Sequence, residues 1–357
     1  MNICGSPIRY EPFPLSSKLT GVRLMPNRQL RIMQTITPEL QAANGSNPVT
    51  AFYFAQQAPL ILRSNSRGET ISHSSEHGGK DPENYSVIEQ LLFSCLRAGD
   101  DKSALLCTEQ LGARFGATDD KVTGLRGLYE EATADNQSTL EKCLQEYDLV
   151  LSENPMNLPI QKRRIALLRS LSRPTDAISS LINLLDAVPT DAEAWCELAD
   201  LYHSQGMSSQ AAFCLEEALL IVPNAWNIHA FLGELLYSGA ISSDTGDCFQ
   251  LLEGSIHRFC RSIELCTDYL RGFYGLVLAT SLLGRKQRLD NHSQDQSSAQ
   301  TRSSLTSEVL DELTNFARKR LDEIVKSRTS KLHIWKGNQS ELIAAKELLD
   351  RPGNLNV

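Results

Sequence analysis

Pro155, Pro189 and Pro223 stand 34 residues apart, twice in succession. A fixed period of this length restricts a chain to repeat architectures, in which each unit buries its apolar face only against its neighbours. Between the last two prolines lie Trp195, Leu198, Ala199 and Tyr202, then Ala211, Leu215 and Ala218. The first four fall at i, i+3, i+4 and i+7, one stripe of a helix, and the next three repeat that spacing on a second helix. Gly206 sits between the stripes, where the chain must turn. Pro223 has no backbone N–H to continue the second helix and marks the corner into the next unit. Each unit is therefore a pair of helices, and the fold class is all-α, a helix–turn–helix solenoid. Trp195, Leu198, Ala199, Tyr202, Ala211, Leu215, Ala218 and Pro223 form the expected repeat core, with Trp195 and Tyr202 filling space beside the small residues.

With Ala192 as position 1, these eight residues occupy positions 4, 7, 8, 11, 20, 24, 27 and 32. That register is the tetratricopeptide pattern. The unit ending at Pro189 keeps Ile165, Leu168, Ala177, Leu181 and Leu184 but has Gln161 at the tryptophan position. Upstream, Cys143, Tyr147 and Val150 supply a second helix, and Ile88, Leu91, Leu92, Cys95, Ala104 and Leu111 supply an earlier unit. Downstream come Phe231, Leu232, Gly233 and Leu236, then Ser255, Phe259 and Ser262 after an inserted loop around Ser238 to Asp247. Five or six repeats are expected over residues 84–350, closed by a short capping helix at Ser340 to Leu349. Residues 1–50 lack sustained periodicity and read as a disordered extension. Residues 51–83 read as a short helix and a polar linker. Residues 284–304, rich in Gln, Ser, Asn and Arg, read as a disordered loop opened by the basic run Arg285 to Arg288.

The net charge of −8 and pI near 5.5 argue against nucleic-acid binding. The N-terminus lacks a basic segment followed by an apolar core, and no apolar stretch is long enough to span a bilayer. Nine cysteines without a CxxC pair read as reduced thiols in a cytosolic protein. No zinc, P-loop, nucleophile-elbow or dinucleotide pattern is present, so no catalytic residue, cofactor, metal or small-molecule substrate is expected. Such a solenoid offers surface instead. Its expected partner-binding groove takes Lys162, Arg163 and Arg169 from one unit, Glu193, Asp200 and His203 from the next, and Glu234 and Tyr237 from the one after.

The chain resembles the family of subunit 2 of the ER membrane protein complex. The resemblance rests on DDKSALLCTEQLGARF (Asp100 to Phe115), KRRIALLRS (Lys162 to Ser170), DAEAWCELADLYHSQGMSSQAAFCLEEALLIVPN (Asp191 to Asn224) and RGFYGLVLA (Arg271 to Ala279). It implies a non-catalytic scaffold on the cytosolic face of the endoplasmic reticulum membrane. The partners it implies are cytosolic tails of the membrane subunits and the cytosolic subunit 8 or 9, in a complex that inserts tail-anchored and multipass proteins. Membrane association would then run through partners. The alternative is a co-chaperone adaptor that clamps chaperone C-terminal tails. Lys162 could serve such a clamp, but Ala166, Glu193, Glu197 and Asp200 stand at the partner positions, and an acidic wall repels an acidic tail.

Overall fold

A computed structural model describes residues 48–66, 82–242, 248–292, 305–330 and 339–350. The described residues form fourteen α-helices: α1 (Pro48–Ser66), α2 (Pro82–Ala98), α3 (Asp101–Phe115), α4 (Asp120–Ala132), α5 (Gln137–Glu153), α6 (Leu158–Ser170), α7 (Pro174–Ala187), α8 (Ala192–Ser204), α9 (Ser208–Ile221), α10 (Trp226–Ser242), α11 (Cys248–Leu265), α12 (Leu270–His292), α13 (Ser307–Ser330) and α14 (Gln339–Asp350). They divide into two compact units, residues 1–173 and 174–357.

The 34-residue period is carried by the backbone as well as by the prolines. Asn157 and Asp191 occupy equivalent positions and both cap a helix. The Asn157 side chain accepts from Ile160 N, and that of Asp191 accepts from Glu193 N and Ala194 N. These contacts satisfy donors that the first helical turn leaves without partners. Ser172 and Gly206 are also equivalent, and both hold a left-handed backbone, with φ of 57° and 76°. The turn geometry is thus conserved between two units even where one uses a residue with a Cβ.

In the first unit, α1 packs on α2 and α3. Phe54, Ala58, Ile61 and Leu62 meet Ile88, Leu91, Leu92 and Cys95 of α2, and Ala104, Cys107 and Leu111 of α3 extend the same core. Gln110 Nε2 donates to the Leu62 carbonyl at 2.9 Å, closing the C-terminal end of α1. The helix expected within residues 51–83 is therefore integrated into the core. The remainder of that stretch, 67–81, lies outside the described residues, as does 1–47 of the expected extension. Further along, Asn157 is buried and donates through Nδ2 to Asp120 Oδ1 at 2.9 Å, tying the start of α6 to the start of α4.

In the second unit, α8 pairs with α9, α10 with α11, and α12 with α13. The α10–α11 contact is close because small residues line it. Ser255 Oγ donates to the Gly233 carbonyl and Ser262 Oγ to the Trp226 carbonyl, both at 2.8 Å. Both serines are fully buried, and these bonds satisfy their hydroxyls. Phe259 fills the centre of this core, flanked by Gly233 and Gly275. The terminal helix α14 packs on α12 and α13 and buries Leu342, Ala345 and Leu348.

Two segments expected as loops are helical. α10 continues through Ser242, leaving only residues 243–247 of that insertion outside the described residues. α12 runs on through the basic run to His292, and residues 293–304 lie outside the described residues. The run contains neither Gly nor Pro after Gly284, and Arg, Lys, Gln and Leu are strong helix formers. It is also anchored. Gln287 Nε2 donates to the Leu305 carbonyl at 2.9 Å, and Arg288 pairs with Asp311 at 3.2 Å.

Candidate protein-binding surfaces

The expected groove residues fall in both units. Lys162, Arg163 and Arg169 belong to the first, and Glu193, Asp200, His203, Glu234 and Tyr237 to the second. Within the first unit, Lys162 is exposed on α6 and Arg169 is half-buried. Arg163 is an internal strut. Its Nε donates to Glu131 Oε1 at 3.0 Å, and its second guanidinium nitrogen contacts Glu131 Oε2. Tyr147 donates its hydroxyl to the same carboxylate at 2.6 Å. Glu131 keeps only 12% of its side-chain surface, so this bidentate pair is held largely out of water. Burial and the Glu131 carboxylate together push the Tyr147 phenol well above its ordinary range, keeping it a hydrogen-bond donor. Arg164 reaches Asp148 at 2.7 Å. Much of the basic band on α6 is thus spent on joining α6 to α4 and α5.

Within the second unit, Glu193 and His203 are exposed and Asp200 is half-buried. The His203 ring meets Phe231 edge-on at 6.0 Å. Glu234 is paired with Arg271 at 2.8 Å. Tyr237 packs against the α10–α14 core, and burial raises its phenol pKa.

Leu198, Ala199, Ala211, Leu215 and Ala218 are buried, and Pro223 is exposed at its corner. Trp195 and Tyr202 differ from expectation: both are half-buried. The buried stripe of α8 runs through Ala194, Leu198 and Leu201, which turns Trp195 and Tyr202 toward an open cleft. Trp195 Nε1 donates to the Pro189 carbonyl at 2.9 Å, fixing the ring at the mouth of the helix. Phe213 of α9 stands edge-on to it at 6.2 Å. The cleft encloses about 480 Å³ and is lined mainly by Ile182, Leu185, Trp195, Tyr202 and Phe213, with Asp186 as its charged member. Phe213 is 56% exposed and Ile182 40%. Phe213 lies outside the repeat stripe, and an aromatic residue between Ala211 and Leu215 was the sequence signal for this surface.

Three of the described thiols sit where burial disfavours the thiolate. Burial, together with Glu193 and Glu217, raises Cys196 and Cys214 to about 11. Burial raises Cys260 to about 11 as well. Such thiols stay protonated near neutrality. Among the described residues, no group of three His, Cys, Asp or Glu side chains could hold a metal ion. No described helix is long and apolar enough to cross a membrane.

Residues 124–238, from α4 to α10, match the family described as the EMC2 TPR-like repeat domain. The TPR repeat protein oca3 of Schizosaccharomyces pombe is 36% identical over 192 residues, covering 54% of this chain and 64% of that protein. ER membrane protein complex subunit 2-A of Xenopus laevis is 31% identical over 207 residues, covering 58% of this chain and 66% of that protein. ER membrane protein complex subunit 2 of Saccharomyces cerevisiae is 27% identical over 212 residues, covering 58% of this chain and 72% of that protein. The chain thus spans just under two thirds of the length of the first two relatives. The resemblance read from the sequence holds over this stretch, where helices α4–α10 are similar to the EMC2 TPR-like repeat domain.

Proposed function

We propose that this chain is a non-catalytic scaffold subunit of the ER membrane protein complex. In this reading it sits peripherally on the cytosolic face of the endoplasmic reticulum membrane. There it organises the cytosolic part of the complex that inserts tail-anchored and multipass proteins. The single observation that carries the reading is the EMC2-type match over residues 124–238, which coincides with helices α4–α10. Helix pairs of this kind supply extended surface for other proteins rather than a reaction centre.

Membrane association through partners follows from this reading. The partner segments are cytosolic tails of the membrane subunits and the cytosolic subunit 8 or 9. Lys162 and Arg169 on α6, and Glu193, Asp200 and His203 on α8, are the proposed contacts. Arg163 is better assigned to holding the first unit together, because Glu131 takes both faces of its guanidinium fork.

The test is affinity purification of the tagged chain from detergent-solubilised membranes, with mass spectrometry of the co-purifying proteins. Recovery of the membrane-embedded subunits in constant proportion supports the proposal. Recovery of the chain alone, or with cytosolic chaperones in their place, refutes it.

A further inference from the structure

The distribution of cations along the chain singles out one surface. From Pro174 to His257 there is no Lys or Arg, while twelve Asp and Glu occur in the same 84 residues. Of the cations that follow, Arg258 of α11 reaches Glu216 on α9 at 3.3 Å, and Arg271 pairs with Glu234 at 2.8 Å, leaving Asp186 and Glu217 beside the cleft. Helices α7, α8 and α9 therefore carry no Lys or Arg of their own, and the open apolar cleft lies among them. The arrangement along the cleft repeats. Ile182 on α7 is followed one turn later by Asp186, and exposed Phe213 on α9 is followed one turn later by Glu217. Residues four apart share a helix face, so each apolar contact point has a carboxylate next to it. Leu220, 77% exposed, continues the α9 face.

We propose that the cleft between α7, α8 and α9 is a docking site for a basic amphipathic helix of a partner protein, with apolar anchors on Trp195, Phe213 and Ile182 and Lys or Arg toward Asp186 and Glu217. Aromatic side chains at the rim of a cleft are frequent anchor points of a helix-in-groove contact. Acidic side chains on both flanks select the sign of the incoming helix and repel an acidic one. No Lys or Arg of these three helices opposes them. This inference stands on the surface of the second unit and does not depend on membership of any complex.

The test uses the full chain and a labelled amphipathic peptide of Leu and Lys long enough for about five helical turns. Two controls are the same peptide with Glu for Lys, and a Lys peptide of equal charge without an apolar face. Fluorescence anisotropy should show binding of the first peptide alone. Phe213→Ala and the double variant Asp186→Lys/Glu217→Lys should each weaken binding about tenfold or more. Raising salt from about 0.05 M to about 0.3 M should weaken it as well, since the charges are solvent-exposed. The double variant should also gain affinity for the Glu peptide. Phe213, Asp186 and Glu217 are not core residues, so helicity and melting should be unchanged, separating lost docking from lost folding. Equal binding of the Lys and Glu peptides, or an unchanged affinity in Phe213→Ala, would overturn the proposal. So would self-association of the peptide-free chain that Phe213→Ala abolishes, because the cleft would then belong to a second copy.

Discussion

Gly275→Ala sets two opposed effects of known size against each other. Gly275 lies inside α12, where replacing Gly by Ala ordinarily gains about 1 kcal/mol of helix propensity. Its Cβ, however, would be driven into the ring of Phe259. That ring has little room to move: the Gly233 backbone also lies so near that a Cβ there would stand 3.0 Å from it, and Phe259 is 1% exposed. Overpacking at such a site costs about 1–3 kcal/mol, and a fully buried ring with two close backbone approaches puts the cost toward the top of that range. The net expectation is a loss of about 1–2 kcal/mol. In a unit of this size each kcal/mol moves the melting point by about 2–4 °C. Thermal melts followed by circular dichroism should therefore show a fall of several degrees. Hydrogen exchange should localise the loosening to α10, α11 and α12. Phe259→Leu should lose stability alone but recover part of the loss when combined with Gly275→Ala, with a coupling of at least about 0.5 kcal/mol. A rise in melting point on Gly275→Ala alone, the result of propensity without steric conflict, would refute the packing described for Phe259.

His229 is buried, its Nε2 lies 3.0 Å from the Pro223 carbonyl, and burial lowers its pKa from an ordinary value near 6.5. The folded state thus disfavours the protonated ring, so its contribution is intact above pH 6.5 and is lost as pH falls through the unfolded value toward the folded one. Denaturant midpoints between pH 7 and pH 5 should decline in the parent chain and decline less in His229→Gln. Arg163→Ala leaves the Glu131 carboxylate half-enclosed without its bidentate partner and should cost about 1–3 kcal/mol by urea denaturation, whereas Lys162→Ala on the exposed side of α6 should cost under about 0.5 kcal/mol. Ser172→Gly removes a Cβ from a left-handed turn and should stabilise by about 0.5–1 kcal/mol, while Gly206→Ala at the equivalent position should destabilise by about 1 kcal/mol; a shared sign for the two would refute the equivalence.

The helix pairs were legible in the sequence because a 34-residue period encodes them redundantly. The prolines, the caps at Asn157 and Asp191 and the turns at Ser172 and Gly206 all repeat with it. Small buried residues such as Ala199, Ala211 and Ala218 were legible for the same reason, since periodicity places them on one face. What periodicity cannot supply is the neighbour on the other side of that face. Trp195 sits at the expected position of the stripe, yet it borders an open cleft, because enclosure depends on what the neighbouring helices place across it. The run from Arg285 to Arg288 shows the converse. Its composition reads as a loop, but helix propensity and contacts to Leu305 and Asp311, which lie beyond the break, keep α12 going.

The same distinction governs the charged residues. Arg163 and Arg164 look like a basic binding patch in one dimension, because sequence displays only their charge. In the fold their carboxylate partners are Glu131 and Asp148, distant in sequence and close in space. A charge that is already paired with good geometry offers little to an incoming ligand, since any new contact must first break the old one. Helices α7–α9 supply no Lys or Arg of their own to pair with their carboxylates. Arg258 of α11 reaches Glu216 at the edge of that stack, while Asp186 and Glu217 remain beside the cleft. The folded chain then adds what composition alone could not indicate: an apolar cleft with Trp195 and Phe213 at its rim, set inside the negative field. Together they define the partner by chemistry, as a segment that carries apolar and basic groups one helical turn apart.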